Sequence, residues 1–123
     1  MVLTQKQIDF ITENEWIILA TSSEGKPRAI MVMPSIVSAD EIVISNMQMQ
    51  VSSQNIRLNP SVFLVSYNKN FSEWIKISGI AVLRADGKLF DEVKKLEAER
   101  CSFIPKEIII VHINSAVCGE EKD

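Results

Sequence analysis

The stretch WIILATSSEGKPRAIMVMPSIV, Trp16 to Val37, decides the fold class. Trp16–Ser22 is a continuous apolar run rich in β-branched residues, the composition of a buried strand. Ser23-Glu24-Gly25-Lys26-Pro27 is a turn signal. Arg28–Val37 then resumes as a strand, and the short connection favours antiparallel pairing. Pro34 has no N–H to give to a ladder, so it marks a bulge, an edge or the strand end.

The same punctuation continues on the C-terminal side. Ala39-Asp40 turns the chain into a third strand, Glu41–Ser45. Asn46–Val51 has no strand pattern. Ser52 or Ser53 is placed to cap a short helix, SQNIRL, which must stop near Asn59-Pro60. Ser61–Tyr67 and Glu73–Leu83 read as strands four and five, separated by an Asn-rich loop. Gly79 inside the fifth predicts a bulge or a close backbone approach. Asp86-Gly87 leads into a helix, Lys88–Arg100, with Leu89, Val93 and Leu96 on one face beside Phe90. Its outer face mixes acids and bases, and Glu92 and Glu97 are candidates for pairing with neighbouring lysines. Glu107–Asn114 is a sixth strand. Toward the N-terminus, Thr4 and Gln7 have capping-box spacing, and Leu3 and Ile8 are placed to staple a helix from Gln5 to Asn14.

The class is therefore mainly β with flanking α-helices. Many short antiparallel strands favour a barrel or a sandwich. A chain of 123 residues fits one domain, expected over residues 1–118 with a polar tail at 119–123. Thirteen basic residues are scattered among 16 acidic ones for a net charge of −3, which argues against a nucleic-acid partner. No apolar run approaches the roughly 20 residues that cross a bilayer, so no membrane role is expected. The N-terminus has no signal-peptide pattern, which makes the cytoplasm the expected compartment and Cys101 and Cys118 reduced thiols. His112 is the one histidine, set in an apolar strand, and is expected to be structural or to face solvent. With two distant cysteines it makes no recognised metal spacing.

Three stretches together carry a resemblance: ILATSSEGKPRAIMV, ISNMQMQVSSQNIRLNPSVFLV and WIKISGIAVL. In this order and spacing they resemble the opening hairpin, phosphate loop with short helix, and long glycine-bearing strand of the FMN-binding split-barrel family, typified by pyridoxamine 5'-phosphate oxidase. The resemblance spans roughly Trp16 to Leu83. It implies an antiparallel split β-barrel and a homodimer that binds FMN at its subunit interface. Carried over by position, Arg28, Ala29, Ile30, Met31, Val32 and Met33 would line the flavin, with Ile44 and Ser45 on a neighbouring strand. Met49, Gln50, Val51, Ser52 and Ser53 would sit by the phosphate, Asn55 just after them in the helix, and Trp74 would approach from the long strand. The family's loop usually carries a Lys, often with an Arg beside it, where this chain has Gln50 and Val51. Arg28 and Arg57 are the candidate replacement cations.

The residues also support plainer roles. Met31 or Met33 is expected in the core, one facing in and the other out, while Met47 and Met49 are open. Trp16 and Trp74 are more often packing residues. The implied function is an FMN-dependent oxidoreductase acting on a small-molecule redox substrate, with no residue singled out as acid or base. The alternatives are a flavin carrier or sensor, and a cofactor-free dimeric interaction module. Relatives of the fold that bind haem or a deazaflavin widen the range, and the placement of His112 disfavours haem.

Overall fold

The computed structural model describes residues 2–46, 49–100 and 104–120. Met47, Cys101 and Glu121–Asp123, about which expectations were set out above, lie outside the described residues. The described elements are α1 (Gln5–Asn14), β1 (Ile17–Ser23), β2 (Lys26–Val32), β3 (Ile36–Val37), β4 (Glu41–Asn46), α2 (Gln50–Leu58), β5 (Ser61–Tyr67), β6 (Glu73–Arg84), α3 (Lys88–Arg100) and β7 (Glu107–Glu120).

All the strand pairings are antiparallel. The strands form one sheet in the order β2-β1-β5-β6-β7-β4-β3. The two edge strands are consecutive in the chain, joined through Met33-Pro34-Ser35. Flat, seven strands would separate these edges by about 29 Å, at roughly 4.8 Å per step. The connection from Val32 to Ile36 reaches only about 14 Å when fully extended. The sheet must therefore roll up, and the connection bridges its open seam: an antiparallel split barrel.

Side chains point alternately to the two faces of each strand, and one parity fills the barrel. Leu19, Leu64, Ile75, Ile77, Ile109 and Val111 are all fully buried there. Helix α1 closes one end with Ile11 and Leu3 buried and Ile8 against the core. Its start is a full capping box: Thr4 Oγ1 accepts from the Gln7 N–H at 3.2 Å, and Gln7 Oε1 accepts from the Thr4 N–H at 2.9 Å. Thr4→Ala is expected to cost about 1 kcal/mol, read as a lower urea midpoint with an unchanged slope.

Five expectations need correction. The single strand expected over Arg28–Val37 is two, because Pro34 and its neighbours turn the chain from one sheet edge to the other. The last strand runs on to Glu120, so Gly119 and Glu120 pair with β6 and are not tail. The short helix starts at Gln50 with Met49 as its N-cap, because Asn46 Oδ1 takes the Met49 N–H at 2.7 Å and begins the turn early. Ser52 and Ser53 are therefore buried inside the helix and cap nothing. On α3 the buried residues are Phe90, Val93 and Glu97, and Leu96 is exposed. Glu97 accepts from Ser35 Oγ at 2.9 Å and pairs with Arg100, where a lysine was expected.

Candidate functional site

Where β2 runs along the sheet edge, the first turn of α2 faces it across a cleft of about 340 Å³. Arg28 and Ile30 form the strand side, and Met49, Gln50, Val51 and Ser52 the helix side. The hairpin fixes the strand side. Ser23 pairs with Lys26 around Glu24-Gly25, both at positive φ (53° and 76°), the two-residue turn that suits a twisted ribbon. That register sets Arg28 opposite Thr21 and Ile30 opposite Leu19.

The helix side is held from below. Asn55 Nδ2 donates to Thr21 Oγ1 at 3.1 Å, tying α2 to β1. Asn59 Nδ2 donates to Ser22 Oγ at 3.2 Å near the far end. Ser53 Oγ donates to Glu107 Oε1 at 2.6 Å, and Arg57 Nη2 meets the same carboxylate at 2.9 Å. Arg57 is thus engaged by Glu107. Arg28 is the cation that lines the cleft.

The side chain of Met49 makes no capping hydrogen bond. The first N–H groups of a helix have no intrahelical acceptor. Together with the positive end of the helix dipole, they make the floor of this cleft suited to an anion. Arg28 adds a full positive charge opposite. The apolar side chains of Ile30 and Met49 suit a flat ring better than a second anion.

Six of the fifteen residues implied by the resemblance therefore converge: Arg28, Ile30, Met49, Gln50, Val51 and Ser52. Ser53 and Asn55 stand behind them as supports. The rest point elsewhere. Val32 and Ile44 are buried in the barrel core. Ala29 and Met31 alternate onto the opposite face of β2, and Met31 is exposed. Ser45 shares the parity of Val43, which packs toward α3. Trp74 lines a separate cleft of about 370 Å³ with Thr4, Gln7, Phe10 and Cys118. There its ring occupies the space beside Gly119, with Lys76 Nζ 4.2 Å from the ring centre. Met33 is half-buried in a cleft against α1. His112 stands outside the barrel, with Nδ1 3.1 Å from Glu41 Oε2.

The residues missed by sequence reading are Asn46 and Glu107. A glutamate opening the run EIIIV, and an asparagine ending EIVISN, were the available signals. A charge or amide leading an apolar strand needs a partner when buried.

No family model matches the chain, and no curated protein matches it in sequence. Solved structures do match in shape. HupZ from Group A Streptococcus superposes with a TM-score of 0.86 at 17% identity, covering 99% of this chain and 100% of that one. An FMN-binding protein from Syntrophomonas wolfei subsp. wolfei gives 0.79 at 13% identity, covering 94% and 85%. An F420 reductase gives 0.73 at 14% identity, covering 94% and 98%. At these identities the likeness establishes the fold. No helix among the described residues is long and apolar enough to cross a membrane.

Proposed function

Because the chain has the split-barrel fold of the FMN-binding, pyridoxamine 5'-phosphate oxidase-like proteins, we propose that the cleft between β2 and α2 binds FMN and that the protein is a flavin-dependent oxidoreductase. The observation that carries this is the α2 N-terminus, free of a side-chain cap, opening onto a cleft with Arg28 on the other wall. The N–H groups of Gln50, Val51 and Ser52 receive the phosphate, and Arg28 balances its charge. Ile30 and Met49 give the ring an apolar wall. Bound there, the flavin supplies hydride or electron transfer to a small redox substrate. The chain's own residues hold the ring and keep water from one side of it.

A homodimer belongs to the same reading. Strand register aligns Met31, Ile18, Val65, Lys76 and Val117 in one row on the outer sheet face. Phe63 stands in the adjacent row, opposite Ala20 and Ser78. Met31 is 63% exposed, Val117 58% and Phe63 40%. This exposed face is apolar apart from Lys76 and Ser78, and an exposed patch of that kind marks an association surface. Sedimentation at micromolar concentration should give a two-chain species, and Phe63→Glu should give one chain. A wild-type monomer would contradict the dimer.

The loop's missing cation gives the test of the cofactor. Val51 lines the cleft where the family usually has a charge. Val51→Lys should tighten FMN by roughly tenfold to a hundredfold, the worth of one charge-assisted contact. Arg28→Gln should loosen it by a similar factor. The readout is quenching of FMN fluorescence on titration with protein. If Val51→Lys and wild type both fail to quench at high micromolar protein, the cofactor-free module replaces this reading.

A further inference from the structure

Behind the cleft lies a charge that the FMN reading does not use. Glu107 is 9% exposed at the start of β7. Its carboxylate accepts from Asn46 Nδ2 at 2.8 Å and from Ser53 Oγ at 2.6 Å. Arg57 Nη2 reaches its two oxygens at 3.3 and 2.9 Å, and Arg57 Nη1 donates to Ser53 Oγ at 2.7 Å. Asn46 in turn holds the N–H of Met49, the residue that opens α2. One carboxylate thus fixes the end of β4, the first half of α2 and that helix's one basic side chain.

Geometry alone does not account for the charge. A glutamine at 107 would still accept from Asn46 and Ser53. What only a carboxylate adds is compensation of Arg57, whose side chain is 55% exposed on the helix that faces the cleft. With the pair formed, this corner carries no net charge. Without Glu107 the guanidinium, carried in the last turn of the same helix and bonded to Ser53, keeps an uncompensated positive charge.

We propose that Glu107 is a specificity-determining positioning residue: by neutralising Arg57 it holds down the cleft's preference for a phosphate-bearing ligand over the same ligand without phosphate. The proposal rests on the cleft being the FMN site. A unit charge about 10 Å from an anion, in a dielectric between protein surface and water, shifts its affinity roughly two- to tenfold. Salt screens the effect over about one Debye length.

The experiment titrates FMN and riboflavin separately into wild type, Glu107→Gln and Arg57→Gln at low salt, with thermal melts as the check on folding. Riboflavin lacks the phosphate, so its affinity reports the ring contacts and the integrity of the cleft. The ratio of FMN to riboflavin affinity should rise roughly two- to tenfold in Glu107→Gln and fall in Arg57→Gln, and both changes should shrink toward 1 M salt. A purely structural network would instead weaken both ligands together in both variants. That result overturns the proposal, as does an unchanged ratio. If Glu107→Gln does not fold, the ratio in Arg57→Gln decides: a fall supports the proposal and no change ends it. Failure of wild type and Val51→Lys to bind FMN removes the FMN reading and this proposal with it. FMN binding with an unchanged ratio removes this proposal alone.

Discussion

Gly79→Ala is expected to lower stability by about 2–3 kcal/mol, or roughly 8–15 °C in melting temperature for a domain of this size. Gly79 sits in β6, between β5 and β7, where the register with β7 shifts between Ser78 and Gly79. A Cβ there would lie 2.6 Å from the His112 carbonyl oxygen and 2.7 Å from Val111 Cγ1. Val111 is fully buried and its branched side chain has little freedom to turn. The carbonyl has none, because it belongs to the backbone of the neighbouring strand. Relief requires the two longest strands of the barrel to separate locally. Differential scanning calorimetry of the variant checks this. A melting temperature within about 2 °C of wild type would mean that the bulge yields and the close approach is not structural.

Glu107→Ala has the second large effect, about 2–4 kcal/mol. It strips the acceptor from the buried Asn46 Nδ2 and Ser53 Oγ and from Arg57. Only the first two are costly, since Arg57 is half exposed and regains water. The loss falls on the joint between β4, α2 and β7, so the first turn of α2 should loosen with it. Hydrogen exchange at Gln50–Ser53 should rise more than exchange across β5 and β6. Glu107→Gln, which keeps the acceptor oxygen, should lose less stability than the alanine variant. Equal urea midpoints for wild type and Glu107→Ala would show that the network carries no weight in folding.

Much of this architecture is written locally. The bounds of α1, β5 and α3 follow from residues at their ends: Thr4 with Gln7, Asn59-Pro60 with Asn68, and Gly87. Gly79 announced its bulge because a strand interior has few other uses for glycine. What failed had a non-local cause. Asn114–Glu120 has no apolar run longer than Ala116-Val117-Cys118, and it is a strand because β6 offers it a long partner edge. Ser52 and Ser53 look like caps to any local rule, yet Asn46 starts the helix earlier and Glu107, more than fifty residues away, takes Ser53.

The residues of the candidate cleft were half legible for the same reason. Period-two alternation separates Arg28 and Ile30 from Ala29 and Met31, so only one set can face a cleft. Taking the strand whole carried both sets over. Ile44 and Val32 read as flavin-wall candidates because a wall and a core need the same side chains, and only the barrel's closure tells them apart. Arg57 looked available to a phosphate until its ion pair with Glu107 was visible.

Equilibrium titration of FMN with wild-type protein, followed by fluorescence quenching with riboflavin in parallel, tests the central claim most directly. A cleft that uses the α2 N-terminus and Arg28 predicts saturable quenching approaching one FMN per chain, with FMN bound more tightly than riboflavin and the difference falling as salt rises. No quenching at high micromolar protein, or equal affinity for the two ligands at every salt concentration, would contradict it.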